Sequence, residues 1–109
     1  MTNAQLPAVI ERFIAAVNKA DVEAFLAFFP TDGVVDDWGR KFTGHAAIRG
    51  WSDKEFIGSQ VSLKVTGFEQ KGHSVGVMTD VGGNGFNGPS RFTFVLDGDK
   101  VREMRITAD

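Results

Sequence analysis

Phe29-Pro30-Thr31-Asp32-Gly33-Val34-Val35-Asp36-Asp37-Trp38-Gly39 is the stretch whose reading decides the fold. Pro30 stops the helix before it, and Thr31-Asp32-Gly33 is turn chemistry. Val34 and Val35 open a short β-branched strand that runs through two adjacent carboxylates to Trp38, and Gly39-Arg40-Lys41 breaks it. Alternation along a strand sets Val35 and Asp37 on one face and Val34 and Asp36 on the other. If Val35 faces the core, Asp37 points inward with it and Asp36 points outward.

Upstream, Leu6, Ile10, Phe13, Ile14 and Val17 form one stripe of a 3.6-period helix. Thr2 or Asn3 is a candidate cap, and Pro7 is tolerated in a first turn. Asp21 reads as the N-cap of a second, shorter helix carrying Phe25, Leu26, Phe28 and Phe29. Downstream, Thr43 or Gly44 opens a third helix with Ile48 and Trp51 on its inner face. From Gln60 the period becomes two. Val61-Leu63-Val65 alternate with polar residues, Gly67 and Gly72 flank a turn, and Val75-Val77-Thr79-Val81 alternate again. The glycine-rich run from Gly82 to Pro89 has no helix after it, so it reads as a hairpin loop and not as a phosphate cradle.

Ser90, Phe92, Phe94 and Leu96 share one face of the next strand, and Met104 and Ile106 share a face of the last. For these faces to lie together, directly opposed residue numbers must sum to an even value. A two-residue turn at Asp97-Gly98 would set Phe92 opposite Glu103. A three-residue loop, Asp97-Gly98-Asp99, pairs Phe92 with Met104, and burial favours it. Helices followed by an antiparallel meander make an α+β plan, with a mixed polar outer face of Arg91, Thr93, Glu103 and Arg105.

Composition narrows the function. The 109 residues are read as one domain, 1–109. Ten Phe, two Trp and no Tyr give a greasy interior, so polarity in any pocket must come from other residues. A net charge of −2 with scattered Lys and Arg argues against a nucleic-acid groove, which needs a basic face. No apolar run approaches the roughly 20 residues of a membrane span. Met1-Thr2-Asn3-Ala4-Gln5 lacks the basic start and apolar core of a signal peptide, so the expected location is cytoplasmic. With no Cys, disulfides and thiolate nucleophiles are excluded, and neither His45 nor His73 stands at metal-ligand spacing with a carboxylate. Neither a metal nor a cofactor is expected.

Five segments together carry a resemblance. They are Phe13-Ile14-Ala15-Ala16-Val17-Asn18, Asp21 through Phe29, Val34-Val35-Asp36-Asp37, Gly44-His45-Ala46-Ala47-Ile48, and Gly98-Asp99-Lys100-Val101-Arg102-Glu103-Met104. In that order, over nearly the whole length, the chain resembles the nuclear transport factor 2-like superfamily, which includes the ketosteroid isomerases and SnoaL-like polyketide cyclases. The superfamily hosts many functions. The resemblance implies a cone-shaped α+β barrel, with three N-terminal helices packed on a curved, mostly antiparallel sheet and a pocket between them. It also implies a homodimer through the sheet face. Asp37 falls where the isomerases place their catalytic base, Phe13 where they place an oxyanion-hole Tyr, and Ser90 where they place a protonated Asp. Phe13 cannot donate, and Ser90 is a shorter, weaker donor. One lost preorganised donor costs about 2.7–4 kcal/mol in the chemical step, so true ketosteroid isomerase activity is not expected.

The expected site is a hydrophobic pocket with Asp37 as candidate general base. Desolvation amid Phe13, Phe25, Phe92, Phe94 and Trp38 is how such a group is tuned, and it is worth roughly 10²–10⁴-fold when it acts. The plainer account is that the Asp pair ends a strand and satisfies loop amides or Arg40. Asp80, inside a strand, is a second catalytic candidate, since the cyclase and epoxide hydrolase branches use acids on such strands; Arg91 and Arg105 pairing with Asp80 or Glu103 across strands is the commonplace alternative. Val17, Val35, Ser90, Met104 and Ile106 complete the expected lining. Trp38 closes the mouth or packs at the rim, and Trp51 is ligand platform or core. His45 reads as a capping or solvent contact, and His73 as an exposed strand start.

Three functions fit these residues. The first is a SnoaL-like protein that binds a hydrophobic small molecule and, if an enzyme, moves a proton on it without a cofactor, as an isomerase or cyclase would. The second is a non-catalytic carrier with the same pocket. The third is an interaction module using the open sheet face.

Overall fold

The computed structural model describes residues 5–108. Helix α1 (Ala8–Asn18) buries the expected stripe, from Ile10 through Phe13 and Ile14 to Val17. It starts at Pro7 with no side-chain cap; the caps expected from Thr2 or Asn3 lie outside the described residues. Asp21 caps α2 (Val22–Ala27) as expected, its carboxylate accepting from the Ala24 amide at 3.1 Å. Strand β1 (Val34–Asp37) follows.

The residues expected to break the chain instead reverse it. Trp38 and Gly39 form a tight turn, both with positive φ (55° and 91°), and β2 (Arg40–Thr43) returns antiparallel to β1 with Arg40 opposite Asp37. Gly44 then leads into α3 (His45–Glu55), which is followed by a single 3-10 turn (Ile57–Ser59). The meander of β3 (Ser62–Lys71), β4 (Ser74–Gly82), β5 (Gly88–Asp97) and β6 (Lys100–Ala108) completes one six-stranded sheet. Its order is β2-β1-β6-β5-β4-β3; β1 runs parallel to β6 and every other pair is antiparallel. Three helices on a mostly antiparallel open sheet is the α+β cone implied by the resemblance. Among the described residues no helix is long and apolar enough to cross a membrane.

The β5–β6 register keeps the expected parity by a different route. Phe92 lies opposite Ile106 and Phe94 opposite Met104, so the apolar faces meet. Phe92 does not pair with Met104. The hairpin keeps a two-residue turn, Gly98-Asp99, between the paired Asp97 and Lys100, with Gly98 at φ +60°. An irregularity between Val95 and Leu96 leaves Arg102 as the extra residue on β6, and that bulge restores the parity a two-residue turn would spoil.

Phe13, Phe25, Phe28, Phe29 and Phe94 gather where α1 and α2 cross the sheet. The four rings around Phe13 stand 5.3–5.8 Å from it, three of them edge-on, as aromatic quadrupoles prefer. At the exposed edge, Asn18 closes off the start of β3. Its side-chain amide donates to the Leu63 carbonyl at 2.9 Å and accepts from the Leu63 amide at 2.7 Å, as a neighbouring strand would. On the outer face Arg91 does not pair with Asp80. Its guanidinium lies across Gly76, the one position of β4 there with no side chain in the way, and reaches Glu69 on β3 at 2.6 Å. Arg105 bonds Glu103 on its own strand at 2.8 Å.

Candidate functional site

The C-terminal ends of β1, β4 and β6, the N-terminal ends of β3 and β5, and the end of α3 meet at one rim of the sheet. There the packing opens into a hollow of about 300 Å³, at the lower bound of small-molecule pockets. Phe92, Ser90 and Ile106 reach it from the inner face of β5 and β6, Trp51 and Phe56 from the α3 side, and Asp37 from the end of β1. Trp51 stacks on Phe56 at 4.8 Å and 23°, so this wall is flat.

Among the described residues, Asp37 is bound by protein on one side only. The Trp51 indole Nε1–H donates to Oδ2 at 3.0 Å, and the Arg40 guanidinium donates to the same oxygen at 2.6 Å. Both bonds fall on Oδ2, leaving Oδ1 for another donor. The side chain retains 15% exposure. Arg40 also forks onto Glu55, the last residue of α3, at 2.7 and 3.1 Å. This ties the β1–β2 hairpin to the helix across the mouth. Hydrogen bonding to Glu55, then the Asp37 and Glu55 charges, raise the already high Arg40 pKa. The same bond lowers that of Glu55. Of the two accounts the sequence offered, the plainer one describes the contacts: Asp37 is paired with Arg40 and is not a lone, desolvated carboxylate.

Asp36 takes the outer face as alternation requires, with its Oδ2 3.9 Å from the Arg105 guanidinium, but it is covered there. It is 8% exposed, and its Oδ1 accepts from the Gly39 amide at 2.8 Å. The pair thus splits its duties: Asp36 fixes the turn and Asp37 faces the hollow. The turn matters because a bulky residue at positive φ is an outlier costing about 1–3 kcal/mol. Trp38 is held there by the Asp36–Gly39 bond and by its own amide on the Ile106 carbonyl at 3.1 Å.

A SnoaL-like domain model matches residues 10–104. The chain belongs to the SnoaL-like domain family. Solved structures agree on the fold. A candidate polyketide cyclase from Sinorhizobium meliloti is 21% identical over 94% of this SnoaL-like chain and 95% of its own, with a TM-score of 0.82. A ketosteroid isomerase-like protein from Catenulispora acidiphila, solved with trimethylamine, is 21% identical over 94% and 86%, with a TM-score of 0.80. A computationally designed 17-OHP binder is 16% identical over 97% and 93%, with a TM-score of 0.81. No curated protein matches the sequence.

Within this SnoaL-like domain the expected site residues divide. Asp37, Trp38, Trp51, Ser90, Phe92 and Ile106 line the hollow. Phe13, Val17, Phe25, Val35, Phe94 and Met104 do not; they are buried in the core, closed off by the phenylalanine cluster and by β1 packing on β6. Asp80 is exposed on the outer face opposite Lys64 and is not part of the lining, because Thr79 takes the inward position beside it. His45 donates through Nε2 to the Phe29 carbonyl at 2.8 Å, and His73 sits in the β3–β4 turn; neither touches the hollow. Among the described residues no three His, Cys, Asp or Glu side chains cluster as a metal would require.

The reading of the sequence missed Lys54, Glu55 and Phe56 at the end of α3, Val61 and Val81 near the strand ends, and Phe86 in the glycine-rich loop. The visible signal for Phe86 was a single large apolar residue among glycines, which has no packing reason to be there.

Proposed function

We propose that this SnoaL-like domain binds a small, mostly apolar molecule in the hollow beside Asp37, with Oδ1 accepting a hydrogen bond from the ligand. The observation that carries this is the one-sided pairing of Asp37: Trp51 and Arg40 fix its orientation through Oδ2, and the residue lines an open hollow. A carboxylate held this way is preorganised, so a ligand donor meets it without a reorganisation cost. Two of the structural neighbours are consistent with ligand binding on this fold, one solved with trimethylamine and one designed to bind 17-OHP.

Proton transfer by Asp37 is a second reading, favoured by Ser90, an uncharged donor from the sheet in the same lining. Phe13 supplies no donor and is sealed in the core, which supports a carrier or a cofactor-free enzyme of the isomerase or cyclase kind over a ketosteroid isomerase. Native mass spectrometry of the purified protein tests the binding reading. A co-purified small molecule that is retained by the parent and lost from Asp37→Asn is the expected result. A parent that carries no ligand, and that binds none from a metabolite extract, would overturn it.

A further inference from the structure

Trp38 and Phe86 are the two large apolar side chains that stay exposed among the described residues, at 62% and 58%. Both line the same hollow, from different loops at the same end of the sheet. Neither position is a relaxed accident. Trp38 is held at positive φ by the turn, so the backbone fixes its ring at the rim when a compact residue or glycine would sit there more easily. Phe86 lies over Gly88, where a β-carbon would stand 3.3 Å from the ring tip, and Gly88 itself is at φ +144°. Asn87 stitches that loop with bonds to the Gly83 and Gly85 carbonyls at 2.9 and 3.1 Å, and the Asn84 amide anchors it to Ser59 at 2.9 Å.

Below the rim, Trp51 stacked on Phe56 continues a slot of flat walls down to Asp37. Around the mouth, Arg40 and Lys54 match the formal charges of Asp37 and Glu55, which suits an uncharged ligand. We propose that Trp38 and Phe86 form an aromatic clamp that selects a flat, conjugated, uncharged ligand whose hydroxyl or N–H end reaches Asp37. This rests on the binding reading above and adds to it the residues that set specificity and the shape they select.

The test uses two probes with the same carbon skeleton and hydroxyl, flat 2-naphthol and puckered decahydro-2-naphthol, titrated into the full chain by NMR. Aromatic contacts from two rings predict about a five- to tenfold preference for the flat probe in the parent. Trp38→Ala and Phe86→Ala, both at exposed positions, are each expected to weaken the flat probe several-fold more than the puckered one, so that the preference shrinks, while Asp37→Asn weakens both. Equal binding of the two probes by the parent, or binding of 2-naphthol undiminished in both rim variants, overturns the clamp and leaves the pocket standing. Failure of the parent to bind either probe overturns the clamp together with the binding reading.

Discussion

Phe13→Tyr places a phenol where the resemblance to ketosteroid isomerases implies an oxyanion donor, and the packing predicts that it will cost stability and supply no donor. Phe13 is fully buried, with four phenylalanine rings around it at 5.3–5.8 Å, and it contributes nothing to the lining of the hollow. A hydroxyl among those rings loses its water and meets no acceptor, which costs about 1–3 kcal/mol. Forcing the extra atom into a close-packed cluster costs about 1–3 kcal/mol more. Together this is about 2–6 kcal/mol out of the 5–15 kcal/mol typical of a domain. At roughly 4 °C per kcal/mol for a chain of this size, Tm falls by about 8–24 °C. Thermal and urea denaturation followed by circular dichroism measure it. A Tyr variant as stable as the parent, with its hydroxyl altering ligand binding at Asp37, would show that the hollow extends under α1 and that the ring cluster is not closed.

Three further outcomes follow from the geometry. Trp51→Phe keeps a ring on Phe56 but deletes the donor to Asp37, a bond to a charged group worth about 1.5–3 kcal/mol; the urea midpoint should fall accordingly and ligand affinity should weaken, and unchanged values of both would refute the orienting role. Arg40 holds the Glu55 carboxyl below its ordinary value of 4.5, so the stability from that bond is present above the unfolded pKa and lost as pH falls through the lower folded one; Glu55→Gln should shrink the acid loss of stability below about pH 4.5, read from Tm against pH, and leave the neutral range nearly flat. A β-carbon on Gly58 would meet the Asp53 carbonyl oxygen at 1.6 Å, a backbone clash that must shift the end of α3, whereas one on Gly76 meets only the movable tip of Arg91 at 2.3 Å. Gly58→Ala should therefore lower Tm more than twice as far as Gly76→Ala, and the reverse order would refute the distinction between fixed and yielding neighbours.

Much of the fold can be read directly because its signals are periodic. The α1 stripe, the Asp21 cap and the inward faces of β4, β5 and β6 each follow from spacing, and spacing survives any detail of the loops. The misreadings sit where one residue changes the count. Arg102 is an exposed residue in a strand of otherwise regular pattern, and nothing in its chemistry announces a bulge, yet that bulge lets the hairpin keep a two-residue turn. Strand β2 was hidden because Gly39-Arg40-Lys41 looks like a breaker; the glycine belongs to the turn, and Arg40 joins the strand because its side chain finds Asp37 and Glu55.

The site was half legible for a different physical reason. Alternation assigns a face but carries no information about height along the cup. Ser90, Phe92 and Phe94 share one face of β5, yet Ser90 and Phe92 border the hollow while Phe94 lies under α1. What sets the height is the supply of bulky side chains from the helices. Around Phe13, α1 and α2 provide Phe25, Phe28 and Phe29, which fill the space completely. At the other end the bulk from the α3 side is Trp51 and, just past the helix, Phe56; stacked on each other, they form one wall of the hollow and do not fill it. Space left there stays open because the residues that might collapse into it are held elsewhere, Trp51 by its bond to Asp37 and Arg40 by Glu55. The polar network at the mouth and the phenylalanine cluster at the base are thus two parts of one device: the cluster fills one end of the cup, and the network keeps the other end from filling.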